Sequence, residues 1–88
     1  MNLSENFTLN ELLRSDTANR MKIVEQYTPS QAVIENLRKL CVNVLQPLRN
    51  HLGRSIRVTS GFRCNRLNTL VKGKKNSQHP EGKAADIE

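Results

Sequence analysis

Between residues 33 and 52, apolar side chains fall at Val33, Ile34, Leu37, Leu40, Cys41, Val44, Leu45, Leu48 and Leu52. Steps of three and four bring side chains onto one face of a helix with about 3.6 residues per turn. Thr28, Pro29 and Gln31 supply a capping oxygen, a proline at the first helical position and a capping-box partner. Gly53 is a natural terminator, because it adopts left-handed backbone freely. The stripe therefore predicts one long helix over about 29–52. Pro47 lies inside it and lacks the amide that would bond residue 43, so a kink is expected there.

The remaining segments are short. Thr8 and Glu11 have capping-box spacing, with Phe7 and Leu12 placed as a hydrophobic staple, so a short helix is expected over about 9–15. The polar stretch that follows reads as a loop as far as Tyr27. Ile56-Arg57-Val58-Thr59 alternates apolar and polar, which predicts a strand over about 55–60. Residues 65–71 suit one or two helical turns with Leu67, Leu70 and Val71 inward. Residues 73–82 read as a loop, and Ala84-Ala85-Asp86-Ile87 opens a second strand over about 83–88. The expected class is α+β: a short N-terminal helix and a long kinked helix packed on a small, incomplete antiparallel sheet. The outer edge of the second strand is expected to invite self-association.

Composition narrows the partners. The 88 residues make one small domain, and with one Tyr, two Phe and no Trp, aliphatic side chains must form its core. The net charge of +6 favours anionic partners such as nucleic acid, anionic membrane or an acidic cell-wall polymer, or else serves solubility. The cations are scattered, with one denser run at Lys72, Lys74 and Lys75. They form no recognition helix and lack stacking aromatics, which argues against nucleic acid. No apolar run is long enough to span a membrane. No signal peptide is visible, so the expected location is cytoplasmic. Cys41 and Cys64 show neither disulfide-framework nor zinc-knuckle spacing. Cys41 lies on the helix stripe and reads as a buried, inert thiol.

Three stretches carry chemistry: Ser60-Gly61-Phe62-Arg63, Asn76-Ser77-Gln78-His79 and Gly82-Lys83-Ala84-Ala85-Asp86. His79 and Asp86 are a nitrogen and an oxygen donor that both suit zinc. A loop turning back at Gly82 brings them to one point. Spacing alone permits this without requiring it; a surface histidine and a turn aspartate fit the same pattern.

Together, Ser77-x-His79-x-x-Gly82-x-Ala84-x-Asp86 and the preceding Ser-Gly-Phe-Arg resemble the zinc D-alanyl-D-alanine carboxypeptidase family, which includes related dipeptidases and phage cell-wall endolysins. The resemblance extends through Phe7-Thr8-Leu9, Arg14-Ser15-Asp16-Thr17-Ala18, Leu45-Gln46-Pro47-Leu48-Arg49 and residues 56–61. It implies that His79 and Asp86 are the first two zinc ligands. It implies that Arg63 is catalytic, contacting substrate near the reacting carbonyl, where a guanidinium stabilises a developing oxyanion. It makes Ser77 a substrate-binding residue, although capping the loop before His79 is an equal reading. Two departures are Lys72-Gly73, where relatives commonly show a glycine pair, and Cys64, where serine is frequent.

The implied reaction is zinc-assisted hydrolysis of cell-wall (peptidoglycan) peptides. The family's third ligand and general base belong to a later histidine-containing segment that these 88 residues do not contain. His51, near the end of the long helix, and Glu81 and Glu88 do not match those roles. The expectation is a C-terminally truncated domain, inactive by itself. The alternative is a non-catalytic remnant that binds cell-wall peptides.

Overall fold

The computed structural model describes residues 1–74 and 76–88; Lys75, one member of the basic run, lies outside the described residues. The chain opens on a hairpin of β1 (Asn2–Ser4) and β2 (Phe7–Thr8). Strands of three and two residues are too short to display alternation, and the sequence did not announce them. Leu3 and Phe7 are both buried. Thr8 then caps α1 (Leu9–Leu13) through a reciprocal box: its hydroxyl accepts from the Glu11 amide, and the Glu11 carboxylate accepts from the Thr8 amide, each at 3.3 Å. Such boxes satisfy two otherwise orphaned amides.

The expected loop between α1 and the long helix is largely helical. Arg14 is extended, which frees Ser15 to cap α2 (Asp16–Met21) by accepting from the Ala18 amide at 3.0 Å. Lys22 ends α2 in a left-handed conformation, and a 3-10 turn follows at Val24–Tyr27. Only Ala18, Ile23 and Gln26 are buried here.

The long helix spans 22 residues: α3 (Gln31–Leu40), a wide π turn (Cys41–Leu45) and α4 (Gln46–Leu52). Ser30 rather than Thr28 caps it, accepting from the Val33 amide at 3.2 Å. In the π turn the Gln46 amide bonds the Cys41 carbonyl, an i→i+5 closure holding one residue more than an α turn. Leu37, Cys41 and Leu45, four apart, therefore stay on the buried side, while Val44 and Leu52 of the stripe are exposed. The irregularity sits just ahead of Pro47, whose ring needs relief from the carbonyl of Asn43. Buried Gln46 ties this helix to the hairpin: its Oε1 accepts from the Ser4 hydroxyl and the Asn6 amide at 2.8 Å each.

After Gly53 (φ 67), β3 (Val58–Ser60) pairs antiparallel with β4 (Asp86–Ile87), matching Val58 with Ile87 and Ser60 with Asp86. Both strands are shorter than expected. Between them lie α5 (Asn65–Leu70) and a 3-10 turn at His79–Glu81. Leu67 is buried, whereas Leu70 and Val71 are exposed. Six residues make fewer than two turns, and α5 buries Leu67 and Asn68 instead. Helix α1 lies against β3, and the long helix meets β1 and the His79 turn. One core joins Leu3, Phe7, Leu12, Leu37, Cys41 and Leu67. At about 1.5–3 kcal/mol for each large aliphatic or aromatic side chain buried, this is the main favourable term. No helix among the described residues is long and apolar enough to cross a membrane.

Candidate active site

The segment after β3 is held by its backbone. A Cβ on Gly61 would come within 2.5 Å of the Leu12 carbonyl oxygen, so only glycine fits this approach to α1. The Phe62 amide donates to that same carbonyl at 2.8 Å. Gln26, with no exposed surface, spans the next three residues. Its Nε2 donates to the Leu13 and Phe62 carbonyls at 2.7 Å each, and its Oε1 accepts from the Cys64 amide at 2.9 Å. An amide side chain carries two N–H donors and a carbonyl acceptor, and all three are used. Arg63 is thus flanked on both sides by bonds to one buried glutamine, and its own amide donates to the His79 carbonyl at 3.3 Å.

His79 is the meeting point. It is 8 % exposed and opens the 3-10 turn, with Pro80 next. The Ser77 hydroxyl accepts from the His79 amide at 3.2 Å. On the ring, Nδ1 lies 2.7 Å from the Gly61 carbonyl oxygen. A carbonyl only accepts, so Nδ1 carries the hydrogen, and in the neutral ring Nε2 presents its lone pair. That Nε2 faces the Asp86 carboxylate at 3.7 Å.

Two features bring Asp86 there. Gly82 (φ 75) reverses the chain, and a Cβ at this position would stand 2.8 Å from the Val33 carbonyl oxygen of α3. Asn36 of α3 donates to the Glu81 carbonyl at 2.8 Å and ties the same turn to the long helix. The chain then enters β4, where the Thr59 hydroxyl donates to the Asp86 carbonyl at 3.2 Å.

The donor pair suits a metal. Two ligands at about 2.0–2.2 Å from a tetrahedral zinc stand roughly 3.4 Å apart, close to the 3.7 Å between His79 Nε2 and Asp86 Oδ2. The Gly61 carbonyl supplies the outer hydrogen bond that orients a metal-binding imidazole. Among the described residues no third His, Cys, Asp or Glu joins this pair. Arg63 lines a neighbouring cleft of about 320 Å³ with Thr59 and Ser60, and its Nε is buried with no hydrogen-bond partner among the described residues.

Of the four sequence-derived site residues, His79 and Asp86 meet through their side chains, whereas Ser77 and Arg63 reach His79 at its backbone and the Arg63 side chain lines the neighbouring cleft. His79 faces Asp86, bonds Ser77 through its amide and receives the Arg63 amide on its carbonyl. His51 is exposed in the last turn of α4. Gln26 is the residue that sequence reasoning missed; it belongs to no apolar period, and a glutamine in a polar stretch gives no sign of burial. The two departures also acquire physical meaning. Cys64 is the N-cap of α5, its sulfur accepting from the Leu67 amide at 3.5 Å, a position that suits a hydroxyl better. Lys72 is left-handed at φ 60, a conformation that glycine adopts without cost.

A family model described as Peptidase M15 matches residues 5–88. The chain belongs to the M15 peptidase family, whose members are generally zinc-dependent. No curated protein and no solved structure matches the chain.

Proposed function

We propose that this chain forms part of a zinc metallopeptidase of the D-alanyl-D-alanine carboxypeptidase type that hydrolyses peptidoglycan peptides. The observation that carries this reading is the His79–Asp86 pair, 3.7 Å apart, with the imidazole Nδ1 held by a backbone carbonyl. In this reading His79 Nε2 and the Asp86 carboxylate hold the zinc, which when bound activates water and polarises the scissile carbonyl. Arg63 directs its guanidinium at the substrate carbonyl oxygen and stabilises negative charge as it develops. Ser77 orders the loop that presents His79 and offers its hydroxyl to the peptide.

Catalytic zinc sites use three protein ligands and an open position. The reading therefore requires a further ligand and a general base from outside the cluster that the described residues form, and the 88 residues by themselves are inactive. The test assays the 88-residue chain, and any longer product of its gene, on a cell-wall pentapeptide with zinc. Turnover by the longer product, abolished by His79→Ala, is the expected result. Turnover by the 88-residue chain would overturn the claim that the cluster is incomplete. The two-donor count also favours a second reading, a peptide-binding remnant without catalysis; retention of peptide binding with no turnover by any product of the gene would establish it.

A further inference from the structure

The groove beside β3 holds more cationic chemistry than a single substrate contact requires. Arg63 shares its cleft with Arg14, Asp16, Thr59 and Ser60, and an adjoining cleft of about 190 Å³ shares Arg14, Asp16 and Thr59 and adds Arg57. The two clefts have common walls and form one channel. Three guanidinium groups line it against one carboxylate. Among the described residues, neither Arg14, Arg63 nor Asp16 takes part in an ion pair; Arg57 meets only exposed Glu88, at 3.8 Å. The Arg63 Nε is buried and has no hydrogen-bond partner among the described residues. A buried donor left unpaired carries a desolvation cost that a ligand oxygen removes.

From this we infer that the channel from Arg63 to Arg14 and Arg57 is a binding subsite for an acidic peptide that carries a carboxylate beside the carbonyl held by Arg63. The carbonyl oxygen meets Arg63, and the carboxylate meets Arg14 and Arg57. The guanidinium fork matches a carboxylate in a bidentate way that an ammonium does not. Asp16, the one acid that lines the channel, disfavours a second carboxylate beside it. The inference rests on the reading of Arg63 as a substrate contact, and it extends that reading to the substrate's charge.

The test titrates the 88-residue chain with an acetylated tetrapeptide containing a glutamate, and with the same peptide carrying glutamine in its place. Binding is followed by backbone and arginine side-chain NMR. The expected result is saturable shifts at Arg63 Nε–H, Thr59 and Ser60 for the glutamate peptide only. Affinity should fall at least about tenfold in Arg14→Gln/Arg57→Gln, two exposed sites where the fold, checked by spectral dispersion, is unaffected; each lost charge-assisted bond is worth about this much. Asp16→Asn should tighten binding. Equal binding of the glutamine peptide, unchanged affinity in the double variant, or shifts spread over Lys72 and Lys83 instead of the channel would overturn the inference. Zinc binding separates the two readings. Loss of zinc in His79→Ala with peptide binding intact keeps the subsite, whereas an unsubstituted chain that binds zinc but not the glutamate peptide removes the subsite and leaves the peptidase reading.

Discussion

The Nδ1 of His79 lies 2.7 Å from the carbonyl oxygen of Gly61, eighteen residues earlier in the chain. Gly61 is in turn fixed against Leu12 of α1, where no Cβ fits. The orientation of the imidazole is therefore set by the first helix, through the strand end, before any ligand arrives. Its outward nitrogen faces Asp86, and the described residues provide two donors there.

Two donors bind zinc weakly. Calorimetric titration of the 88-residue chain should show an affinity weaker than micromolar, reduced further by His79→Ala or Asp86→Ala. Nanomolar binding by the monomer would mean that a third ligand reaches the pair, with His51 the first to substitute.

Removing Gln26 should be costly. Gln26→Ala leaves the Leu13 and Phe62 carbonyls and the Cys64 amide buried without their partner, at about 1–3 kcal/mol for each group left unsatisfied. A loss of about 3 kcal/mol or more in urea unfolding is expected, with faster amide exchange at Cys64. A loss under about 1 kcal/mol would show that water replaces the side chain.

Two backbone substitutions should act in opposite directions. Gly82→Ala combines left-handed backbone with a Cβ 2.8 Å from a carbonyl of α3, and about 2–4 kcal/mol of stability should be lost. Lys72→Gly relieves a strained φ of 60 and should gain about 0.5–1 kcal/mol, because the greater freedom of glycine in the unfolded chain offsets part of the relief. Thermal melts of both variants check the signs.

Burial pushes the Cys41 thiol up from 9.0 to about 11, with the Glu11 carboxylate adding to the effect. The folded state thus holds the thiol proton more tightly than the unfolded state. The contribution of the neutral thiol to stability is complete below pH 9 and is lost as pH rises from 9 through about 11. Alkaline unfolding should shift upward in Cys41→Ala relative to that variant's own neutral stability. Alkylation at pH 8 should be slow until the chain is unfolded.

The elements that sequence made legible are those where local chemistry and burial agree. The Thr8–Glu11 box started α1 where expected, and the stripe through Leu37, Cys41 and Leu45 marked the buried face of the long helix. Ser15 hid a cap, because α2 buries only Ala18 and shows no apolar period. Val44 misled for another reason: period counting assumes regular turns, and the π turn rotates that position into solvent. At the site, the approach of His79 to Asp86 was legible only by resemblance. Neither the clash that demands Gly82 nor the Gln26 strap leaves a periodic signature, since both are long-range contacts of single residues.

The extra residue held in the wide turn at Cys41–Leu45 has an evolutionary reading. Elsewhere in a helix, losing one residue swings everything beyond it by more than a quarter turn. Here, loss of one solvent-facing position among Val42, Asn43 and Val44 would close the turn to ordinary α geometry and leave both flanks in register, with Gln46 still reaching Ser4 and Asn6. Single-residue length variation among related chains should therefore concentrate at this turn.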